Sequence, residues 1–198
     1  LDQASVRHML GNPPQQRVTL VSVPIVRAAE NGTLPHYRLI HTKLHAWSLP
    51  CARVALLDYD VIAIRDPSPI FDACGAASFC GAQDFSTPGL RGRNFNGGVL
   101  VLRADNATHR RLVAAAEDDA QRGIGRQYAE QAFLNDHFRG AWTQLANRFN
   151  MQGAWSPLKQ HRAVRDGVLL HQKLSQLPSS VEEALAPRGT HEAAAALV

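Results

Sequence analysis

The sequence predicts an α/β fold, with a mostly parallel sheet flanked by helices. Three observations predict it. Apolar runs of strand length recur at 17–23, 53–58, 99–102 and 168–170. Between them, residues 36–49, 105–121 and 127–139 carry apolar side chains at helical spacing. Finally, Asp58, Asn96 and His171 each sit at the edge of an apolar run. Open α/β sheets bind their ligands at such strand ends.

The elements follow in order. Residues 3–10 read as the end of a helix, broken by Gly11-Asn-Pro-Pro14. Arg17 to Val23 reads as a buried strand stopped by Pro24. Leu39, Ile40, Leu44 and Trp47 mark a helix that Pro50 ends. Strand 53–58 follows, and after Pro67 and Pro69 the pair Ile70-Phe71 is expected to pack on the sheet. Ala76 to Ala82 is a short strand, 84–94 a loop, and Asn96-Gly-Gly98 a turn into strand 99–102. Helix 105–121 buries Leu112, Val113 and Ala116, and helix 127–139 buries Ala129, Phe133, Leu134 and Phe138. A short strand is expected within 142–149, and Val168 to Leu170 delivers His171. Residues 1–177 form one domain on this reading, and 178–198 an Ala-rich tail.

Composition narrows the function. The chain has 198 residues, 45% hydrophobic and 19% charged, which suits one domain with a real core. No apolar stretch has transmembrane length. The net charge of +4 is modest and its basic residues are scattered. That fits a small anionic ligand such as a phosphate group and gives no reason to expect nucleic acid. Cys51, Cys74 and Cys80 lack CxxC spacing, which argues against a zinc knuckle. They read as reduced, buried thiols, with one disulfide left open. The expected compartment leans to the cytoplasm over the Golgi lumen. Asn31-Gly-Thr33 and Asn106-Ala-Thr108 match the glycosylation triplet, a pattern that arises often by chance.

The chemistry centres on Leu57-Asp-Tyr-Asp-Val61. Side chains two apart on an extended segment point the same way, so Asp58 and Asp60 are placed to grip one cation. Asp-x-Asp alone is weak, because two aspartates at a strand end also serve as a turn and a helix cap. His171 supplies an imidazole if the last strand ends beside the first. Two carboxylates and an imidazole suit Mn²⁺, with Mg²⁺ as the alternative. Two metal–phosphate readings compete. In a phosphatase of the haloacid-dehalogenase type, Asp58 is the nucleophile and Asp60 the acid/base. That type also needs a later lysine and an acidic pair at strand ends, whereas Asp118-Asp119 fall in a predicted helix. In the other reading the metal holds the diphosphate of a sugar nucleotide.

The flanking sequence bears on the choice. His41-Thr-Lys-Leu-His-Ala-Trp-Ser-Leu49 precedes the carboxylates, and Asn94-Phe-Asn-Gly-Gly-Val-Leu-Val-Leu102 and Tyr128-Ala-Glu-Gln-Ala-Phe-Leu-Asn135 follow. This ordered set resembles the glycogenin and galactinol synthase family of retaining glycosyltransferases, glycosyltransferase family 8. The resemblance implies a GT-A-like, Rossmann-type fold and an enzyme moving a hexose from a UDP-sugar to an acceptor hydroxyl with Mn²⁺. It further implies that Asp58, Asp60 and His171 are metal ligands. Lys43, Tyr59, Asn96 and Gly97 would contact the donor, and Glu130 and Gln131 would be the catalytic pair. The implied partners are the UDP-sugar and an acceptor that is a glycan, inositol or protein; a homodimer is also within the expectation.

Two departures from the family pattern open an alternative, a truncated or non-catalytic relative. The uridine-binding first strand is expected to be missing. After His171, where the family has Gly-x-x-Lys-Pro-Trp, Leu174 and Leu177 replace the Gly and Lys, Pro178 is kept and the Trp is absent. Lys173 is a partial substitute for the lost lysine.

Overall fold

The computed structural model describes residues 21–85, 93–126, 129–152 and 166–171. The expected helix at 3–10, most of the strand at 17–23 and the tail at 178–198 lie outside these residues. Of that strand, residues 21–23 are described and form no strand.

The first element among the described residues is helical, as expected, but of 3₁₀ type: Pro35–Tyr37 and then Ile40–Ser48. Its buried side chains explain the tighter winding. His41, Leu44 and Trp47 are buried at intervals of three residues, and a 3₁₀ helix with three residues per turn aligns them on one face. An α-helix would rotate them apart.

Strand β1 is Arg53–Leu57, β2 is Val61–Ala63, and helix α1 is Pro69–Cys74. Strand β3 is Phe79–Gln83 and β4 is Phe95–Arg103. Helix α2, Asn106–Gln121, starts at Asp105, whose carboxylate accepts from the Ala107 and Thr108 amides and caps the helix. Helix α3 is Ala129–His137, and strands β5, β6 and β7 are Thr143–Leu145, Met151–Gln152 and Leu169–His171.

Four strands form one sheet in the order β1-β4-β3-β5, and three form a second in the order β2-β7-β6. In the larger sheet β4 runs antiparallel to both β1 and β3, while β3 and β5 are parallel. So β1, β3 and β5 share one direction and β4 alone is reversed. The α/β class stands. The pairing, however, is mixed where a mostly parallel sheet was expected, because the reversed strand sits between two of the aligned ones. Only 11 residues, 84–94, separate β4 from β3, fewer than the dozen or more that a parallel crossover needs.

Strand β4 is buried on both faces. Leu100 and Leu102 join a cluster with Leu44, Trp47, Phe79, Leu112, Phe133 and Leu134. Val99 and Val101 point the other way, toward Ile70, Cys80, Leu145, Phe149 and Leu169. Ile70 therefore packs against the sheet as its sequence suggested. Opposite β3 the register slips: Gly81 faces Leu100, yet Gln83 faces Phe95. The extra residues on β4 are those around Asn96-Gly-Gly98. The expected turn is thus a bulge inside a strand, a device common beside active sites.

Two cysteine readings change. Cys74 and Cys80 form a disulfide with Cα atoms 5.9 Å apart, tying α1 to β3. Cys51 is free but exposed, not buried. Among the described residues no helix is long and apolar enough to cross a membrane.

Candidate functional site

Strand registers assemble the site. Asp58 follows β1, and its amide donates to the Gly98 carbonyl at 2.9 Å, which anchors the carboxylate pair beside the β4 bulge. In the second sheet Val61 pairs with His171. That register sets the imidazole next to Asp60, with Nε2 3.5 Å from Oδ1. One donor atom each from Asp58, Asp60 and His171 lies within 4.8 Å of the others. This donor set fits a divalent cation of hard or borderline character. The ring is accommodated only because position 98 is glycine, since a Cβ there would collide with it.

Lys43 reaches in from the 3₁₀ segment and pairs with Asp58. Its ammonium also lies 3.6 Å from Oε2 of Glu130. Burial pulls the Lys43 pKa down, but Glu130 and Asp58 outweigh it and the net shift is upward. Lys43 stays charged. Glu130 is completely enclosed, and burial raises its pKa to about 7 against the opposing pull of Lys43, with Asp58 adding to the rise. Its Oε1 is buried without a hydrogen-bond partner. Gly97 makes room for this carboxyl, because a Cβ there would lie 3.2 Å from Oε2. Ala129, just before it, has φ of +30°. A non-glycine residue in that region is strained, and such strain gathers at functional sites.

Gln131 is held on all sides. Its Oε1 accepts from the Gly97 amide at 2.8 Å and from Asn96 Nδ2 at 3.2 Å. Its Nε2 donates to Asp84 Oδ2 at 3.0 Å. Asn96 Oδ1 accepts from the Gly98 amide at 3.0 Å and from Asn150 Nδ2 at 2.9 Å. Asn150 Oδ1 lies 3.1 Å from Nδ1 of His171.

Lys43, Asp58, Asp60, Asn96, Gly97, Glu130, Gln131 and His171 are therefore brought together. Tyr59 is the exception: it lies between the carboxylates in sequence, yet is 90% exposed. Sequence reasoning missed Asp84 and Asn150. Asp84 directly follows the buried run of β3, the same signal that marked Asp58. Asn150 carries no local signal.

Asp118 and Asp119 lie in α2 and pair with Arg122 and Arg126. They supply no acidic pair to this site. A cavity of about 760 Å³ lies elsewhere, lined by Arg93, Arg126, Asp136, Arg139 and Trp142 among others. It includes none of the cluster residues, and Arg126 and Arg139 are already paired with Asp136. The convergence of charge at the carboxylates, not the size of the cavity, marks the candidate site.

No family model matches the sequence. Glycogenin of Neurospora crassa is 34% identical over 118 residues, covering 59% of this chain and 16% of that protein. The galactosyltransferase LgtC, solved in complex with donor and acceptor sugar analogs, superposes with a TM-score of 0.51 at 20% identity, covering 67% of this chain and 57% of LgtC. This chain is glycogenin-like in sequence and glycosyltransferase-like in fold. An LgtC active-site mutant, glutamine to glutamate, gives a TM-score of 0.56 at 17% identity, over 80% of this chain and 71% of LgtC. The glycosyltransferase GlyE of Streptococcus pneumoniae TIGR4 gives 0.54 at 16% identity, over 80% of this chain and 46% of GlyE. The GT-A-like fold expected from the sequence is the fold observed. The chain spans about a sixth of the glycogenin it matches and a little over half of LgtC in the first of these superpositions.

Proposed function

We propose that this chain carries the donor and metal site of a retaining hexosyltransferase that uses a UDP-sugar. The observation that carries the proposal is the convergence of Lys43, the Asp58–Asp60–His171 cluster and the Glu130–Gln131 pair on one point. Sequence similarity to glycogenin and fold similarity to a galactosyltransferase support it. On this reading residues 1–177 are one transferase domain.

Asp58, Asp60 and His171 would hold the cation, Mn²⁺ in preference to Mg²⁺ because of the imidazole. When bound, that ion supplies Lewis-acid charge beside the diphosphate. Breaking the bond between the anomeric carbon and the diphosphate leaves negative charge on the phosphate oxygen. Lys43, kept cationic by its carboxylate neighbours, offsets that charge. Asn96, Gly97 and Asp84 would line the sugar, with glycine allowing close approach. Glu130, enclosed behind Lys43, would stabilise the developing oxocarbenium centre through its charge. The Gln131 carbonyl oxygen already accepts two hydrogen bonds, which makes it a poor nucleophile. That favours attack by the acceptor hydroxyl on the face the leaving group departs from, with its proton passing to the departing phosphate oxygen. The acceptor is a glycan, inositol or protein hydroxyl.

The test is UDP release from UDP-hexoses with Mn²⁺, with the product anomer read by NMR. Asp60→Asn is expected to reduce turnover by about 10²–10³-fold, the scale of losing one electrostatic stabiliser. Weak UDP binding without turnover would support the non-catalytic alternative. Cleavage of a phosphomonoester would support the phosphatase.

A further inference from the structure

The amide groups linking β4 to His171 have only one consistent orientation, and it decides which imidazole nitrogen is free. The Gly98 N–H can only donate, so the Asn96 atom 3.0 Å away is an oxygen. The Asn150 atom 2.9 Å from that oxygen must then be its NH₂. The other end of the Asn150 amide is therefore oxygen, and it lies 3.1 Å from Nδ1 of His171. An acceptor at that distance requires a proton on Nδ1. The opposite end of the chain agrees. Gln131 Oε1 is identified as oxygen by the Gly97 N–H at 2.8 Å. It accepts from the Asn96 NH₂ at 3.2 Å, and the Gln131 NH₂ meets the Asp84 carboxylate at 3.0 Å. No amide need be reversed.

We propose that Asn150 is a positioning residue that holds neutral His171 as the Nδ1–H tautomer, leaving the Nε2 lone pair directed to the Asp58–Asp60 side. Two tendencies oppose it. A free imidazole side chain favours the proton on Nε2, and the Asp60 carboxylate would attract that proton. Asp60 stands 3.5 Å from Nε2, beyond good hydrogen-bond distance, whereas Asn150 is within it. Asn150 is fully buried, so no solvent molecule competes for the bond. Orientation of a ligating histidine through its other nitrogen is a general need of metal sites. The value of the tautomer to a cation rests on the metal reading proposed above; the tautomer itself does not.

The experiment is a long-range ¹H–¹⁵N spectrum of the imidazoles in the full chain without metal. It is run at about pH 8.5, roughly two units above an ordinary imidazole pKa. The expected spectrum shows Nδ1 protonated and Nε2 bare. Asn150→Ala should shift His171 toward the Nε2–H form and weaken Mn²⁺ binding by about 10–100-fold, measured by electron paramagnetic resonance. Asn150→Asp keeps an acceptor facing Nδ1 and should keep the tautomer. A wild-type spectrum with the proton on Nε2 would overturn the assignment with no variant needed, so a misfolded Asn150→Ala does not weaken the test. An unchanged tautomer in folded Asn150→Ala would remove Asn150 from the role. A wild type showing the Nδ1–H form but binding no Mn²⁺ upholds the tautomer and counts against the metal reading alone.

Discussion

Glu130 lies in the first turn of α3 with its carboxyl enclosed, and burial raises its pKa from 4.5 to about 7. The linkage runs in a definite direction. Below about pH 4.5 the carboxyl is protonated both folded and unfolded, and the favourable difference is fully present. As pH rises toward 7 the unfolded chain ionises first, and stability is lost until the folded form ionises too. The loss saturates at about 3 kcal/mol, from the shift of 4.5 to about 7. Glu130→Gln should therefore gain about 3 kcal/mol relative to wild type near pH 8 and almost nothing near pH 4. Urea denaturation at the two pH values measures it, and a pH-independent difference would refute the assignment. At this scale the sequence was informative where a polar residue ended an apolar run, as at Asp58 and His171. It was silent at Asn150, whose role exists only through partners at Asn96 and His171.

Among the elements, α3 depends on Asn135 for its docking. Asn135 Oδ1 accepts from the Phe95 amide at 2.9 Å, and its Nδ2 donates to the Phe95 carbonyl at 2.8 Å and to the Gln131 carbonyl at 2.9 Å. The side chain thus completes the pairing of β4 where the bulge begins. Asn135→Ala would strand the buried Phe95 N–H and C=O and should cost about 2–3 kcal/mol. Chemical denaturation reads the loss, and an unchanged midpoint would show that the pairing is dispensable. Helices 105–121 and 127–139 were legible from their spacing, because an amphipathic period is local information. The winding of Ile40–Ser48 and the bulge in β4 were not. Both are set by what the segments pack against: the core behind Leu44 and Trp47, and the slipped register against β3.

At the scale of the whole molecule, the site gathers positions 43, 58, 60, 130 and 171, which are distant in sequence. Ordering them together is opposed by charge, since Asp58 and Asp60 hold carboxylate oxygens within 4.8 Å and only Lys43, beside Asp58, offsets their repulsion. A bound cation relieves that repulsion, so metal should stabilise the fold by mass action. At a Mn²⁺ concentration of 100 times Kd the gain is about 2.7 kcal/mol, visible as a rise in Tm. Asp60→Asn should abolish the rise while Tm without metal stays level or increases. An equal Mn²⁺ response in both proteins would place the ion elsewhere.

By itself the sequence determined the α/β class, the positions of most elements and the residue types at the site. These follow from local periodicity and from polar residues placed at the ends of apolar runs. Only the tertiary structure decided the direction of β4, the joining of Cys74 to Cys80, the exposure of Tyr59 and the link from Asp84 through Asn150 to His171. Each of these depends on which strand lies beside which. Strand neighbours are chosen by the packing of the whole chain, which no short stretch of sequence encodes.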